Sequence, residues 1–259
     1  MIDIHHHLLF DLDDGPRDIE VSVAMAEMSI ENGVTHIACT PHANERYSFD
    51  PQLNRERLAM VQERMGNRIE LGLGCDFHLM YDNIVDALAH PAKFSINGKG
   101  YLLVEFPNHA IARNMRETFF QLGLAGLTPI ITHPERNPVL VRQPERMAEW
   151  LRGGCYVQIT AASLTGNFGK AARHLAFLLL DRNWVHFVAT DAHSATSRAP
   201  NLREAYELLE DKYGQETADR LCIENPRAAF FGEPMPPQPE PESLYPKQSS
   251  SFLSKLFDW

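Results

Sequence analysis

Hydrophobic residues in this chain form short, extended runs that alternate with longer segments of helical periodicity. The extended runs predict seven strands, at Met1–His7, Thr35–Thr40, Ile69–Asp76, Tyr101–Phe106, Thr128–His133, Cys155–Thr160 and Val185–Thr190. The periodic segments predict helices at Ile19–Glu31, Pro51–Met65, Ile111–Leu124, Pro144–Leu151, Lys170–Asp181, Asn201–Tyr213, Gln215–Leu221 and Pro226–Phe231. Strands that are each followed by a crossover segment favour a parallel sheet in an α/β fold.

The composition of the chain changes at Glu233. Residues Glu233–Ser251 contain six prolines together with several serines and glutamates, which is typical of a flexible linker. The last eight residues, Phe252–Trp259, restore apolar side chains at helical spacing. We therefore predict one folded domain over residues 1–232 and a flexible tail over residues 233–259. The end of this tail either docks on a protein partner or a membrane surface, or packs back on the domain.

The overall composition is that of a globular protein with a sizeable core, since 44% of the residues are hydrophobic. The net charge is −10, from 34 acidic and 24 basic residues, which gives no electrostatic basis for a nucleic-acid surface. The sequence shows no signal peptide and no apolar run long enough for a transmembrane segment. The four cysteines are scattered without a CxxC pair, so we predict no disulfide framework and a reducing, cytoplasmic location.

Side chains of the metal-binding types recur at or just past the carboxyl ends of the apolar runs. They are His5, His7, Asp14, His42, Asp76, Glu105, His133, Asp191 and His193. Parallel strands bring these ends to one face of a sheet, and a barrel gathers them around one axis, where barrel enzymes place their active sites. One such residue is usually a turn or cap residue, but packing does not explain six strand ends in succession. The pattern therefore favours a closed barrel with a metal centre at its carboxyl face.

The chemistry of these residues points to phosphate ester hydrolysis. Mixed imidazole and carboxylate ligands suit zinc, manganese or iron better than calcium, and a coordinated water can attack phosphorus near neutral pH. Arg136 follows one of the predicted ligands and can pair with two phosphate oxygens, whereas Arg46 and Arg198 are weaker candidates that we interpret as solvated loop charges. A cysteine-dependent phosphatase is excluded because none of the cysteines has an arginine six positions later. No P-loop or Gly-x-Gly-x-x-Gly pattern is present.

Five short motifs resemble those of the polymerase and histidinol phosphatase (PHP) superfamily. They are Met1-Ile-Asp-Ile-His-His-His, Asp13-Asp-Gly-Pro, Thr40-Pro-His, His133-Pro-Glu-Arg and Thr190-Asp-Ala-His. The chain is most similar to the manganese-dependent protein-tyrosine phosphatases that bacteria use in capsule and exopolysaccharide synthesis. This resemblance covers about residues 1–232 and implies a single-domain, distorted (β/α)7 TIM-like barrel that hydrolyses phosphotyrosine in proteins. It also implies three divalent metals per chain, with manganese favoured over iron or zinc.

The resemblance further implies a role for each site residue. One metal is expected to bind His5, His7, Asp76 and Asp191, a second Asp76, Glu105 and His133, and a third Asp14, His42 and His193. Arg136 is similar to a phosphate-binding arginine, and Asp191 and His193 are expected to act with it in catalysis. Three divalent ions against four ligand carboxylates leave a charge of about +2, which attracts a phosphate dianion.

Two positions depart from the commoner family pattern. His6 stands where cysteine is more frequent, and strand alternation predicts that it faces away from the metals. Asp76 stands where glutamate is more frequent, so its shorter side chain leaves His78, on the same strand face, as an alternative bridging ligand.

Other functions remain open at this stage. Within the superfamily the alternatives are a small-molecule phosphatase, such as histidinol phosphatase, and a nuclease, which the acidic charge disfavours. A different class is a non-catalytic, metal-bound scaffold of an envelope-polysaccharide system. The expected partner is a phosphotyrosine protein, with a bacterial tyrosine kinase as the candidate substrate.

Overall fold

Parallel strands and the helices between them form the structure, a computed structural model that describes residues 1–244. Within those residues there are nine strands: β1 (Ile2–His6), β2 (His36–Cys39), β3 (His42–Ala43), β4 (Glu70–Leu73), β5 (Asp76–His78), β6 (Tyr101–Glu105), β7 (Thr128–Thr132), β8 (Tyr156–Thr160) and β9 (Phe187–Ala189). Each of the seven predicted strands is present, although the run predicted at Ile69–Asp76 is divided between β4 and β5. The α/β class with parallel pairing is therefore confirmed.

Helices connect most of the successive strands. Residues 1–244 contain α1 (Ile19–Glu31), α2 (Pro51–Met65), α3 (Tyr81–Ala89), α4 (Met115–Leu124), α5 (Pro138–Arg142), α6 (Met147–Arg152), α7 (Ala161–Thr165), α8 (Gly169–Asp181), α9 (Leu202–Tyr213), α10 (Gln215–Asp219) and α11 (Asn225–Phe231). The carboxylate of Asp18 accepts a hydrogen bond from Val21 N, and that of Asp50 accepts two at the start of α2. These capping bonds explain why both helices begin where the sequence predicts.

The strands belong to two parallel sheets that the chain itself links. One has the order β1-β2-β4 and the other the order β3-β5-β6-β7-β8-β9. Only two residues separate β2 from β3, and two separate β4 from β5, so both chain segments pass directly from the first sheet into the second. At the far edge, His7 N donates to Ala192 O at 2.9 Å and Asp191 N donates to His5 O at 2.8 Å. The end of β1 thus lies beside the residues that follow β9.

Alternation along the strands separates the core into two layers. Leu102 packs in the larger cluster, which contains Phe119 of α4, whereas Leu103 packs in a smaller cluster with Phe230 of α11. Because side chains alternate along a strand, Glu105 shares the face of Leu103. The smaller cluster fills the amino-terminal part of this face, and polar side chains occupy the carboxyl-terminal part.

The described part of the proline-rich segment follows the surface of the domain. Tyr101 donates its hydroxyl to Glu233 O at 2.8 Å, and Trp184 Nε1 donates to Glu242 O at 2.8 Å. Gln238 exchanges hydrogen bonds with the buried Asn225 at 2.8 and 3.0 Å. The apolar docking segment predicted at Phe252–Trp259 lies outside the described residues. No helix within residues 1–244 has the length and hydrophobicity of a membrane span.

Candidate metal centre

All nine side chains predicted to bind metals converge at the carboxyl ends of the strands. They fall into four overlapping groups whose ligand atoms lie within 4.8 Å of one another: His7, Asp14, His42 and His193; His5, His7 and Asp76; His5, His133 and Asp191; and His42, Asp76 and Glu105. Strand β1, the short strands β3 and β5, and the residues after β7 and β9 each contribute to the cluster.

Two buried carboxylates occupy the middle of the cluster. His5 Nε2 lies 3.5 Å from Asp76 Oδ2 and 3.4 Å from Asp191 Oδ1. His7 Nε2 lies 3.4 Å from the same Asp191 oxygen and 3.4 Å from His5 Nε2. His42 Nδ1 lies 3.1 Å from Asp76 Oδ2. Asp76 and Asp191 therefore each face several imidazoles at once, as carboxylates shared between neighbouring cations do.

The third group is more open to solvent. Asp14 Oδ1 lies 3.4 Å from His42 Nε2 and 3.4 Å from His193 Nε2, and the Asp14 side chain is 48% exposed. His193 Nδ1 pairs with the backbone oxygen of Asp191 at 2.9 Å, which leaves Nε2 as its free ligand atom. This end of the cluster is the side from which a substrate can approach.

The hydrogen bonding of the cluster fits a bound metal. Within the described chain, neither carboxylate oxygen of the fully buried Asp76 accepts a hydrogen bond, and His42 Nδ1 and His193 Nε2 also have no hydrogen-bond partner. Buried polar atoms without partners are costly and rare in native proteins. Imidazole nitrogens and carboxylate oxygens in this arrangement suit divalent transition metals.

The electrostatics of the cluster indicate a need for added positive charge. Burial alone raises the pKa of Asp191, but the charges of His5 and Arg136 outweigh it and hold this pKa well below its ordinary value. Burial, helped by the charge of Asp76, raises the pKa of Glu105 to about 8. Burial lowers the pKa of His5, yet the carboxylates of Asp191 and Asp76 raise it to about 9. In the absence of metal ions, protons on His5 and Glu105 therefore compensate the negative charge of the clustered carboxylates.

Two side chains that the sequence-based interpretation left out orient the imidazoles. His7 Nδ1 pairs with Asp13 Oδ2 at 2.7 Å, and the Asp13 side chain is 1% exposed. His5 Nδ1 pairs with Gln158 Oε1 at 2.9 Å. Each contact fixes the ring so that Nε2 points into the cluster. A signal existed for Gln158, because a polar residue interrupts an otherwise apolar buried strand, whereas no spacing in the sequence distinguishes Asp13 from Asp14.

A further buried carboxylate secures the turn that carries Asp191. Asp3 Oδ1 accepts a hydrogen bond from Thr190 N at 3.1 Å, and Asp3 Oδ2 accepts one from Thr190 Oγ1 at 2.5 Å. Asp191 itself has a left-handed backbone with φ of 51°, and His133 has φ of 31°. Non-glycine residues in this region are strained and are commonly found at functional sites.

Two arginines converge on Asp191 beside the cluster. Arg136 Nη1 and Arg198 Nη2 both donate to Asp191 Oδ2, and the second donor lies 2.5 Å away. The side chains of Arg136 and Arg198 are only 23% and 28% exposed. The interpretation of Arg198 as a solvated loop charge is therefore wrong, because the residues after β9 fold back and direct it into the site. Its carboxylate partner lies seven positions earlier, too far for a local pattern to reveal.

A cavity of about 150 Å³ opens between Arg136 and two of the candidate ligands. Its lining includes Glu105, His133, Arg136 and Asn137. A larger groove of about 700 Å³ beside Trp150 lies away from the ligand cluster. The smaller cavity brings the cationic side chain of Arg136 next to metal-binding atoms, so we assign it to the candidate site.

The structure shows the surroundings of Asp76 and His6, the two positions that depart from the commoner family pattern. Asp76 belongs to two of the four ligand groups, whereas His78 belongs to none of them and lies 3.4 Å from Glu105 through its Nε2 atom. His6 is fully buried, and its ring nitrogens have no hydrogen-bond partner within residues 1–244. Burial lowers the pKa of His6 to about 3, so its ring is neutral.

Comparisons with known proteins agree over nearly the whole chain. The model of the family described as capsular polysaccharide synthesis, CpsB/CapC, matches residues 1–230. Tyrosine-protein phosphatase YwqE of Bacillus subtilis (strain 168) is 33% identical over 246 residues, which cover 92% of this chain and 96% of the relative. Tyrosine-protein phosphatase CpsB of Streptococcus pneumoniae is 31% identical over 242 residues, covering 90% and 99% respectively.

A solved structure supports the same relationship. It comes from work on YwqE from Bacillus subtilis and CpsB from Streptococcus pneumoniae, described as unique metal-dependent tyrosine phosphatases. The TM-score is 0.85 at 33% sequence identity, and the match covers 93% of this chain and 99% of the solved chain. The likeness extends beyond the ligand motifs to the full set of strands and helices.

Proposed function

Because the chain belongs to the CpsB/CapC family of capsular polysaccharide synthesis, we propose that it is a metal-dependent phosphatase that hydrolyses phosphotyrosine in proteins. The observation that carries this proposal is the convergence of nine metal-binding side chains next to two guanidinium groups. The ligands can hold the cations that activate water, and the arginines can bind the phosphate that the water attacks.

The proposal includes the fold that holds the site. Residues 1–232 form one domain in which the two sheets close into a distorted barrel of seven β/α units. The direct passage from β2 to β3 and from β4 to β5 supports this view, as does the bridge between His6 and Ala192. Residues 233–259 follow this domain, and their described part, residues 233–244, lies along its surface.

Each metal-binding residue then has a proposed place. His5, His7, Asp76 and Asp191 would hold one ion, Asp76 with Glu105 and His133 a second, and Asp14, His42 and His193 a third. His133 lies with His5 and Asp191 in the structure, which supports a place near the shared carboxylates. We propose manganese as the metal, with iron and zinc as alternatives that the same ligand types accept.

The chain's own groups account for binding and orientation of the phosphate. When bound, the divalent ions supply Lewis acidity and a nucleophilic hydroxide at neutral pH. Arg136 and Arg198 bind the phosphoryl oxygens and stabilise the charge that develops on them. Asp191 holds both guanidinium groups in place through one oxygen while the other faces the imidazoles. Asp14 and His193 border the open end of the site, where the leaving phenolate departs.

The substrate proposal rests on the relatives. YwqE and CpsB are named tyrosine-protein phosphatases, and their similarity spans more than nine-tenths of their own lengths. We propose that this chain acts in the cytoplasm on a phosphotyrosine protein of the capsule or exopolysaccharide machinery, with a bacterial tyrosine kinase as the candidate. The net charge of −10 gives no support for a nucleic-acid substrate.

A side-by-side assay tests the proposal. The manganese-reconstituted chain is given phosphotyrosine peptides, phosphoserine peptides and histidinol phosphate at equal concentrations. We expect turnover of the phosphotyrosine peptides to be fastest, to disappear on chelation and to return with manganese. Thiol alkylation should leave activity intact, since all four cysteines are buried. Preference for histidinol phosphate would assign the chain to small-molecule metabolism, and absence of all turnover would favour the scaffold.

A further inference from the structure

A single aromatic residue lies against both arginines of the candidate site. Phe168 is the last residue before α8, and it follows the short helix α7 through a tight loop. Gly166 and Gly169 on either side of it have φ of 96° and 84°, backbone angles that favour glycine. This loop turns the chain sharply and holds the Phe168 ring at the edge of the site.

The ring of Phe168 contacts the guanidinium groups directly. Arg136 Cζ lies 4.2 Å from the ring centroid, and Arg198 Cζ lies 6.0 Å from it. Both distances fall in the range in which a cation is attracted to the face of an aromatic ring. Phe168 also lines a pocket of about 90 Å³ together with Asp191 and Arg198, so it borders the same space as the groups that meet there.

The two arginines need such support because their remaining contacts are few. Within residues 1–244, the Arg136 side chain donates hydrogen bonds only to Asp191 and, over a long 3.5 Å, to Thr160 Oγ1. Two guanidinium groups that share one carboxylate oxygen repel each other, and an arginine side chain has many rotamers. A neutral ring with a negative face can hold both cations without competing with phosphate for their N–H donors.

We propose that Phe168 is a positioning residue for the phosphatase reaction, which keeps Arg136 and Arg198 aimed at the phosphate site. This inference rests on the proposed phosphatase function. Phe168 acts through the arginines, because Arg136 lies over one face of its ring. Its contribution therefore depends on the presence of Arg136.

The test compares Phe168→Leu with Phe168→Tyr in the manganese-loaded, full-length chain. We expect Phe168→Leu to lower kcat/KM for an aryl phosphate by about 3- to 30-fold and to weaken inhibition by inorganic phosphate by a similar factor. Phe168→Tyr keeps the aromatic face and should stay within about threefold of the parent chain. Metal content and thermal unfolding are measured for every variant, and Phe168→Met replaces Phe168→Leu if the latter does not fold.

A matched control is a second phenylalanine, which lies in helix α8 itself. Phe177 of α8 also lies near two cations, with Lys212 Nζ at 4.1 Å and Arg173 Cζ at 5.4 Å from its ring, but it is not part of the site. Phe177→Leu should leave kcat/KM and phosphate inhibition within about twofold.

A double-mutant cycle separates positioning from a general structural effect. Because Arg136 is the nearer of the two guanidinium groups, Phe168→Leu should lower kcat/KM by a smaller factor in an Arg136→Ala background than in the parent. An equal loss in both backgrounds, or no loss in the parent, would overturn the inference. Should the parent chain hydrolyse no aryl phosphate, the proposed function fails, while calorimetric titration of inorganic phosphate into the metal-loaded Phe168 variants still decides the positioning role.

Discussion

At the scale of single residues, the centre depends on side chains that hold its ligands in place. Asp13 illustrates this, because its Oδ2 atom accepts a hydrogen bond from His42 N at 3.1 Å in addition to its contact with His7. Its Oδ1 atom accepts one from Gly15 N at 2.9 Å. One buried carboxylate thus connects the loop after β1 with the strand that carries His42. Partners of this kind commonly affect metal affinity nearly as much as the ligands do.

The first prediction concerns this carboxylate. Asp13→Ala should weaken manganese binding by roughly 10- to 100-fold, because His7 loses the acceptor that orients its ring. Isothermal titration of the metal-free chain measures the change. Asp11→Ala is the matched control, since the exposed Asp11 side chain pairs with Arg57 at 3.4 Å and with no other polar group of the described residues. Unchanged affinity in Asp13→Ala would show that the ring of His7 is oriented by other contacts.

The second prediction concerns the arginines that converge on Asp191. Arg136→Ala and Arg198→Ala should each reduce transition-state stabilisation by roughly 2–4 kcal/mol while metal content stays normal. Steady-state kinetics with an aryl phosphate and elemental analysis of the same samples provide the measurement. Arg46→Ala is the control, because Arg46 stacks near Tyr47 outside the ligand groups. A loss of metal in either site variant would instead make that arginine a structural support for Asp191.

At the scale of elements, the sequence reveals those whose ends carry a local signal. Helices α1 and α2 have capping aspartates, and both were predicted at their observed ends. Helix α5 was missed although Asn137 caps it and Pro138 begins it, so its signal was present. Helices α3 and α7 have no side-chain cap, and α7 is only five residues long. Their formation depends on packing, which a local pattern does not encode.

The divided strand has a similar explanation. The sequence predicts one extended run over residues 69–76, but β4 pairs with β2 in one sheet and β5 pairs with β3 in the other. A Cβ atom on Gly74 would lie 3.1 Å from Thr40 and 3.2 Å from Ile96, so the chain packs closely where it passes between the sheets. The break depends on residues distant in sequence, and the apolar run alone does not reveal it. Most candidate ligands were predictable because they lie at or just past the end of an extended run, whichever sheet contains it, and Asp14, in the loop after β1, is the exception.

The third prediction separates two parts of the proline-rich segment. Deleting residues 245–259 should leave the free energy of unfolding unchanged, and the rate of turnover of a small aryl phosphate should stay within about twofold of the parent, since no predicted ligand lies there. Deleting residues 233–259 should also keep the metal ligands but destabilise the domain by about 2–5 kcal/mol. The buried Asn225 then loses Gln238, and Trp184 loses its acceptor.

Chemical denaturation of both truncated chains, with kinetics at equal metal occupancy, tests this difference. Recruitment to a protein partner or to vesicles can be compared in the same samples and should fall in both truncations. Equal stability of the two truncations would mean that the contacts of residues 233–244 add nothing to the domain. If deleting residues 245–259 abolished turnover of the small substrate, that result would contradict the docking role of the tail.

At the scale of the whole molecule, an acidic chain binds an anionic substrate through a local reversal of charge. The protein carries a net charge of −10, yet four candidate ligand carboxylates lie together with two arginines and five histidines. Without metal, this charge pattern is balanced by protons on the ligands. Burial lowers the pKa of His42, but the neighbouring carboxylates of Asp14 and Asp76 raise it to about 11. Metal binding and proton release are therefore linked across the centre.

The last prediction follows from this linkage. In the metal-free chain at pH 7, His5 and Glu105 hold their protons, because their pKa values of about 9 and about 8 lie above the pH. A metal ion binds only the deprotonated imidazole or carboxylate, so manganese uptake at pH 7 should release protons and its affinity should rise from pH 6 to pH 8. Titration calorimetry in two buffers of different ionisation enthalpy measures the protons released.

Manganese at 100 times its Kd should also stabilise the fold by about 2.7 kcal/mol for each site, which raises Tm by several degrees. Asp191→Asn should lose part of both effects, since it removes a charge that two imidazoles and two guanidinium groups share. Affinity that is independent of pH, with no proton release, would mean that the ligands are already deprotonated and that the charge balance described here is wrong.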